Sequence, residues 1–249
     1  MKLYDIAYDP IEIVSSDGSV WPILLLVVAV AAAAVALILV LRKRKKAGKS
    51  ASPEKWMKNE PLSRAFFARD ALTVAPALLG KTLLHGGAGG IIVETEAYVG
   101  PGDRACHAFG GKRTKRTELL FGEAGHAYVY LIYGMYCCLN VVTGKAEEPQ
   151  CVLIRALRPT LGLEEMALRR NGKPEKELCR GPGKLCMALD IGRELNGRDM
   201  TAGDFVFLDG PEVPVSEIVT SKRIGIDYAG PDKDNLWRFT VKGDPYVSR

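Results

Sequence analysis

Two glutamates, Glu94 and Glu96, stand two positions apart in the stretch IIVETEAYVGPGDRACHAFGG, residues 91–111. The β-branched residues before them favour a strand, and the Gly-Pro-Gly sequence from position 100 would end it. Alternate residues of a strand point to one face, so both carboxylates and Tyr98 are expected on the same side. If that side meets solvent, this is an ordinary half-buried strand. If it is buried, a carboxylate there could do acid–base chemistry. The spacing alone leaves both interpretations open.

Tyrosines are concentrated near these glutamates. Five of the nine are Tyr98, Tyr128, Tyr130, Tyr133 and Tyr136. The simpler interpretation is a strand core in which each hydroxyl finds a partner. The alternative is a pocket walled by aromatic rings, which would hold a flat heteroaromatic ligand by stacking on its faces. Asn140 and His107 favour the pocket because they add polar groups, although an isolated histidine is more often structural.

Two short basic stretches could contact phosphates. GGKRTKR, residues 110–116, contains Arg113 and Arg116, and RGPGKL, residues 180–185, contains Lys184. Such stretches are usually solvated loops, yet beside an aromatic pocket they would suit a nucleic-acid backbone. The net charge of +5 does not indicate a nucleic-acid-binding protein, because residues 61–249 carry 25 Lys or Arg against 23 Asp or Glu. Any nucleic-acid interface must therefore be local.

The cysteines and histidines do not indicate a metal site. The six cysteines include no C-x-x-C pair, and the chain has three histidines. This pattern is weak evidence for a zinc site and for a disulfide framework. Unpaired thiols at apolar positions such as Cys137, Cys138 and Cys151 agree with a reducing cytoplasm. We therefore expect no metal and no cofactor.

A run of nineteen apolar residues, Ile23 to Leu41, precedes the rest of the chain. As a helix it would be about 28 Å long, close to the hydrocarbon thickness of a bilayer. Acidic residues precede it and RKRKK follows it, so the positive-inside rule places residues 1–22 outside and residues after 41 in the cytoplasm. A buried core helix is the alternative. A cleaved signal peptide fits poorly because the preceding residues are acidic.

The remaining sequence predicts a linker and one folded domain. Residues 42–61 are predicted to form a basic juxtamembrane linker. Residues 62–249 mix helices and strands without βαβ alternation, which predicts an α+β domain with a curved, mainly antiparallel sheet and flanking helices. Asp70 is a predicted helix cap, and Gly80 a helix stop. Strands are predicted at 91–98, 125–144 (one bent strand or two consecutive ones), 151–159, 204–210 and 237–243, with a hairpin turn at 85–90. Helices are predicted at 161–172 and 181–191.

Four stretches occur in order between positions 93 and 186: VETEAYVGPGDRACHAF, HAYVYLIYGMYCCLNVVT, CVLIRAL and CRGPGKLC. In order and spacing they resemble the alkyladenine (3-methyladenine) DNA glycosylase family, and the likeness extends from about Leu62 to the end of the sequence. The apolar run at 23–41 is not a feature associated with that family.

The resemblance implies a role for each site residue. Glu96 would be the catalytic carboxylate, Arg155 would sit beside the catalytic water and the target phosphate, and Glu94 would support them. Tyr98, His107, Tyr130 and Asn140 would form the walls of the base pocket. Tyr133 would be the wedge left in the duplex. Phosphate contacts would come from Arg113, Arg116 and Lys184. Asn140 would crowd the amino group of normal guanine.

The implied activity is removal of alkylated or deaminated purines from double-stranded DNA without strand cleavage. The expected protein is a monomer that binds DNA containing a damaged purine and is attached to a membrane through residues 23–41. Two alternatives stay open. One is a carboxylate-based hydrolase of nucleosides or sugars, which would act on free nucleosides. The other is a non-enzymatic, membrane-anchored module that binds lesion DNA and releases no base.

Overall fold

The computed structural model describes residues 59–248, together with Leu25 and Val28, which lie in a helix. The chain divides into two units, Met1–Lys49 and Ser50–Arg249. Apart from Leu25 and Val28, the predicted membrane span at 23–41 lies outside the described residues, as do the tail at 1–22 and most of the linker at 42–61. No helix of the described part is long and apolar enough to cross a membrane. The span therefore stays a prediction.

Residues 59–248 contain eight strands and five α-helices. The strands are β1 (Thr82–His85), β2 (Ala88–Tyr98), β3 (Ala127–Ile132), β4 (Tyr136–Thr143), β5 (Gln150–Leu161), β6 (Phe205–Leu208), β7 (Ile218–Ser221) and β8 (Arg238–Val241). The helices are α1 (Arg64–Phe67), α2 (Ala71–Ala77), α3 (Leu163–Arg169), α4 (Glu175–Leu178) and α5 (Pro182–Ala188). Short 3-10 turns join several of them.

All eight strands belong to one antiparallel sheet in the order β3–β4–β5–β2–β1–β6. The long strand β2 pairs with β5 on one edge. On its other edge it pairs first with β1 and then, from Glu94 to Glu96, with β8, which in turn pairs with β7. The predicted α+β class and the mainly antiparallel, curved sheet are confirmed. The topology places the glutamates inside the sheet, flanked on both sides.

Two turns define the hairpins that flank the site. Gly86 and Gly87 both have positive φ, 54° and 81°, so a two-residue turn joins β1 to β2 rather than the longer turn predicted at 85–90. For the apolar run at 125–144 the sequence predicted either one bent strand or two consecutive ones, and the structure has two strands. They pair as a hairpin whose turn contains Tyr133 and Gly134, both with positive φ.

Strand β5 continues beyond its predicted end at Pro159. Pro159 lies opposite Gly90 on β2, where a Cβ would come within 2.4 Å of the carbonyl oxygen of Arg158. The absence of a side chain at Gly90 lets the two backbones approach, so the proline is accommodated within the strand. The sequence pattern missed this because it depends on a residue about seventy positions away.

The helices cover the sheet and complete its core. Asp70 caps α2, as predicted, by accepting a hydrogen bond from the backbone N–H of Leu72 (2.8 Å). Helix α2 packs against β2 and β5, and α5 packs against β4 and β5. A separate, smaller apolar cluster lies under the tyrosines and includes Cys106, Leu120, Tyr128, Val142 and Cys151. This second cluster forms the base of the candidate site.

Candidate active site

Glu96 is completely buried on β2, accepts hydrogen bonds from two groups of the described chain and is ion-paired with Arg155. The Tyr98 hydroxyl donates to Oε2 (2.9 Å), and the backbone N–H of Ile224 donates to Oε1 (2.8 Å). Arg155 Nη1 lies 3.3 Å from the same Oε1. An ionised carboxylate can accept about four hydrogen bonds, so one position on Oε2 remains for a water molecule. The interpretation of the glutamate face as solvent-exposed is wrong.

Burial sets the ionisation of Glu96 and its neighbour. Burial raises the pKa of Glu96 above its usual range, and this outweighs the opposing effects of Arg155, Ile224 and Tyr98. Burial and the nearby Glu96 charge raise the pKa of Tyr98 well above its ordinary value. The Tyr98 hydroxyl therefore keeps its proton and donates it toward Glu96. A carboxylate with a raised pKa is a stronger proton acceptor once ionised, as a general base requires.

Glu94 is also fully buried and accepts four hydrogen bonds. Arg155 Nε (2.9 Å), Arg238 Nε (2.7 Å) and the Ser248 hydroxyl (2.8 Å) donate to Oε1, and the Ser248 N–H (2.6 Å) donates to Oε2. None of these donors comes from a residue that lines the aromatic pocket described next. The two glutamates share Arg155, as expected of residues on one face, and they differ in their other partners, since Tyr98, which binds Glu96, does line that pocket.

A pocket of about 240 Å³ of empty volume, part of it open to solvent, lies in front of Tyr98. The residues that line it are Tyr98, Ala105, Cys106, His107, Leu120, Tyr128, Tyr130, Asn140 and Cys151. The His107 and Tyr130 rings meet edge to face, with centroids 4.6 Å apart. All four residues predicted as base-pocket walls thus lie around one cavity, which has aromatic walls and few polar groups.

His107 is held as a neutral ring. Burial, together with the neighbouring Arg116 charge, lowers its pKa to about 4. Nδ1 lies 2.8 Å from the Tyr128 hydroxyl, and Nε2 lies 3.4 Å from Arg116 Nη2. Because a guanidinium only donates, Nε2 must be the acceptor and Nδ1 must carry the hydrogen. This fixes the tautomer, and the ring offers a neutral edge to the pocket.

Asn140 is buried at the back of the pocket. Its Nδ2 donates to the carbonyl oxygen of Tyr128 (3.1 Å), and its Oδ1 lies 3.8 Å from Cys151 Sγ. Both ends of the amide are therefore held, so the side chain presents a fixed shape. A rigid group can exclude a ligand by contact, which a mobile one cannot.

Tyr133 lies at the tip of the β3–β4 hairpin and is 80% exposed. Its φ of 53° is in the left-handed region, which is unusual for a residue with a bulky side chain. Such strain persists where the surrounding structure imposes it and is common at ligand sites. Met135 in the same turn is 69% exposed. The hairpin thus presents large apolar side chains next to the pocket.

The three predicted phosphate-contacting cations differ in their surroundings. Arg116 lies at the pocket, with its guanidinium carbon 5.2 Å from the Tyr130 ring centroid. Arg113 is exposed and is ion-paired with Glu118 (2.8 Å) and Glu147 (2.6 Å). Lys184 is ion-paired with Glu177 (2.9 Å). Their contacts with phosphate stay predictions, and the latter two cations would have to exchange carboxylate partners for phosphate.

Sequence reasoning missed a buried ion pair behind the pocket. Arg223 Nη1 and Nη2 donate to the two carboxylate oxygens of Asp103 (2.5 and 2.8 Å), and both side chains are fully buried. The guanidinium carbon lies 4.8 Å from the Tyr98 ring centroid and 4.9 Å from that of Trp237. Arg223 directly precedes Ile224, whose N–H binds Glu96. No periodic pattern marked this residue, because its partner is 120 positions away.

In the described part of the chain, no group of three or more His, Cys, Asp or Glu side chains could hold a metal ion. Fold and site together define a class of protein. It is an enzyme in which a buried carboxylate is hydrogen-bonded to one wall of an aromatic-lined pocket.

Comparison with known proteins identifies the family within that class. Residues 65–245 match the sequence model of the methylpurine-DNA glycosylase family. A Clostridium acetobutylicum protein named as a 3-methyladenine DNA glycosylase is 49% identical over 199 residues, which covers 75% of this chain and 97% of that protein. A protein of the same name from Methanocella arvoryzae is 51% identical over 194 residues, covering 76% and 96%. The chain belongs to the methylpurine-DNA glycosylase family.

Proposed function

We propose that the protein is a monofunctional DNA glycosylase. It flips a damaged purine out of duplex DNA and hydrolyses the N-glycosidic bond of alkylated or deaminated purines of the 3-methyladenine, hypoxanthine and ethenoadenine type. The observation that carries this proposal is Glu96, a buried carboxylate with one acceptor position open beside an aromatic pocket. Residues 62–249 form the glycosylase domain, which agrees with the family match over residues 65–245.

The chemistry follows from the arrangement around Glu96. Water bound at Oε2 attacks C1′ of the sugar while the bond from C1′ to the base nitrogen breaks, and the leaving base takes the bonding electrons. Glu96 accepts the water proton, and its negative charge stabilises the oxocarbenium-like sugar. An alkylated purine is already an activated leaving group, so one carboxylate is sufficient and the paired carboxylates of sugar hydrolases are not needed.

The aromatic pocket recognises the flipped base. Tyr98, His107 and Tyr130 provide ring surfaces for stacking. Asn140, held at both ends, crowds the exocyclic amino group that distinguishes guanine. This combination favours adenine-type lesions over normal guanine.

The exposed hairpin and the nearby cations contact the duplex. Tyr133 fills the gap that the flipped base leaves, because a planar side chain replaces part of the lost stacking. Arg116 lies at the pocket mouth and contacts a phosphate, as do Arg113 and Lys184 when their carboxylate partners are displaced. Among the described residues that line the pocket there is no lysine to form a Schiff base, so base removal proceeds without strand cleavage.

Base release from a defined duplex tests the proposal. The full chain is incubated with duplex DNA holding one hypoxanthine or ethenoadenine, and the free base and alkali-induced cutting at that position are measured. We expect both with the unaltered protein and neither with Glu96→Gln, which should keep its lesion binding because the shape is preserved. Binding without base release would show a non-enzymatic module. Release of hypoxanthine from free inosine but not from the duplex would show a nucleoside hydrolase.

A further inference from the structure

The last described segment of the chain, Asp244–Ser248, lies against the catalytic pair. We propose that Ser248 is a positioning residue that holds Arg155 against Glu96. This inference rests on the proposed function, since it assigns Ser248 a part in that reaction. Ser248 lies far from Glu96 in sequence and does not line the aromatic pocket, so its contribution must pass through Glu94 and Arg155, which it contacts.

Ser248 supplies half of the hydrogen bonds that Glu94 accepts. Its backbone N–H donates to Oε2 (2.6 Å) and its hydroxyl donates to Oε1 (2.8 Å). Both residues are buried, with Ser248 only 8% exposed. In such surroundings an unsatisfied carboxylate oxygen is strongly unfavourable, so Glu94 would otherwise recruit another donor. Arg155 and Arg238 are the adjacent donors.

Arg155 divides its nitrogens among three neighbours. Nε donates to Glu94 (2.9 Å), Nη1 faces Glu96 (3.3 Å), and Nη2 donates to the Ser248 hydroxyl (3.4 Å). The guanidinium is planar, so holding two of its corners fixes the position of the third. Loss of the Ser248 hydroxyl would free Nη2 and remove one of the three donors to Glu94 Oε1. With that corner of the guanidinium free, Arg155 can rotate toward Glu94 and away from Glu96.

The segment that carries Ser248 is itself tied down on several sides. Arg180 Nε donates to the carbonyl oxygen of Val247 (2.8 Å), and Arg238 Nη2 donates to that of Ser248 (3.2 Å). Asp244 is ion-paired with Arg158, and the Tyr246 hydroxyl donates to Glu175 (2.5 Å). The serine therefore holds a fixed position, as a residue that aligns another must.

Substitutions at Ser248 in the full chain separate positioning from general stability. Ser248→Ala removes the hydroxyl, and Ser248→Thr keeps it. Ser216→Ala makes the same chemical change at an exposed position and serves as the matched control. We expect Ser248→Ala to slow single-turnover base release by about tenfold, with lesion-DNA affinity changed by less than about twofold, because small misplacements of catalytic groups strongly affect the chemical step. Ser248→Thr should recover most of the rate.

A second measurement does not depend on activity. In protein labelled at arginine, the NMR signal of the Arg155 Nε–H reports how freely the guanidinium rotates and exchanges. We expect Ser248→Ala to broaden or shift this signal and to speed its exchange. In Ser216→Ala and Ser248→Thr the signal should be the same as in the unaltered protein.

The outcomes distinguish the two proposals. A normal rate and an unchanged Arg155 signal in Ser248→Ala would overturn the positioning role. Equal loss of rate and binding that Ser248→Thr does not restore would also overturn it, since that pattern indicates only structural support. If the unaltered protein releases no base, the proposed function fails, and the Arg155 signal alone then decides whether Ser248 restrains that arginine.

Discussion

Glu94 and Glu96 have the same side chain, the same strand face and the same arginine neighbour, and they differ in their other partners. Arg238 and Ser248 donate to Glu94, whereas Ile224 and the pocket residue Tyr98 donate to Glu96. At the residue scale, the two carboxylates are therefore distinguished by the groups that they contact. Residue type and spacing could not separate the two glutamates.

The ionisation of Glu96 predicts the pH dependence of base release. The proposed general base must be ionised, and burial raises its pKa above 4.5, so the rate should increase with pH and reach half its maximum above pH 4.5. Tyr98→Phe keeps the ring but removes a hydrogen bond that lowers the pKa of Glu96. It should therefore move this midpoint upward. Single-turnover rates across the pH range would show this, and a midpoint that moves downward would contradict the assigned hydrogen bond.

His107 predicts a contribution to stability that depends on pH. Its pKa is lowered from 6.5 to about 4 in the folded state, so the unfolded chain binds this proton more readily. The stability that the neutral ring contributes is present above pH 6.5 and is lost as the pH falls toward 4. The unfolding free energy of the unaltered protein should thus fall more steeply over this range than that of His107→Gln. Denaturant titrations at several pH values would test it, and parallel curves would indicate that His107 titrates normally.

At the scale of elements, the tip of the β3–β4 hairpin is predicted to affect DNA binding without affecting the stability of the fold. Tyr133 adopts a positive φ while exposing 80% of its surface, so it contributes little to the core. Tyr133→Ala should weaken binding to lesion duplexes by about 1–3 kcal/mol through lost stacking and leave the unfolding free energy nearly unchanged. Tyr133→Phe keeps the plane and should bind normally. An alanine variant that binds as tightly as the unaltered protein would exclude Tyr133 as the wedge.

The pair Asp103–Arg223 joins two elements that meet behind the pocket, the turn after β2 and the segment before β8. Removing one partner leaves the other charge buried, so Arg223→Ala should lower the unfolding free energy by about 3–5 kcal/mol. It should also slow base release, because the Tyr98 ring and the Ile224 N–H lose their support. Lys222→Ala, at the exposed neighbouring position, is the control. Normal stability of Arg223→Ala would show that the ion pair contributes little.

At the scale of the whole molecule, contacts near residue 60 bind the first residues of the continuous described segment to the chain just after β6. Asn59 Nδ2 donates to the carbonyl oxygen of Asp209 (2.7 Å), and the Asp209 N–H donates to that of Glu60 (2.8 Å). A chain beginning at Asn59 should therefore fold alone and release base at the full rate. A chain beginning at Leu62 loses both bonds and should melt at a lower temperature. Thermal unfolding of the two chains would compare them, and failure of the longer one to fold would show that earlier residues are required.

Local patterns determined much of this protein from sequence alone. The β-branched run and glycine turns predicted β2, Asp70 predicted a helix cap, and four ordered motifs identified the family and the residues that gather around the pocket. These features depend on neighbours a few positions away, where backbone preference and alternation act. Tertiary structure alone decided the rest. It brought Ser248 to Glu94 across 154 positions and Ile224 to Glu96 across 128 positions. It also paired Arg113 with acidic residues. Which buried groups satisfy one another depends on how distant segments meet, and only the folded chain brings them together.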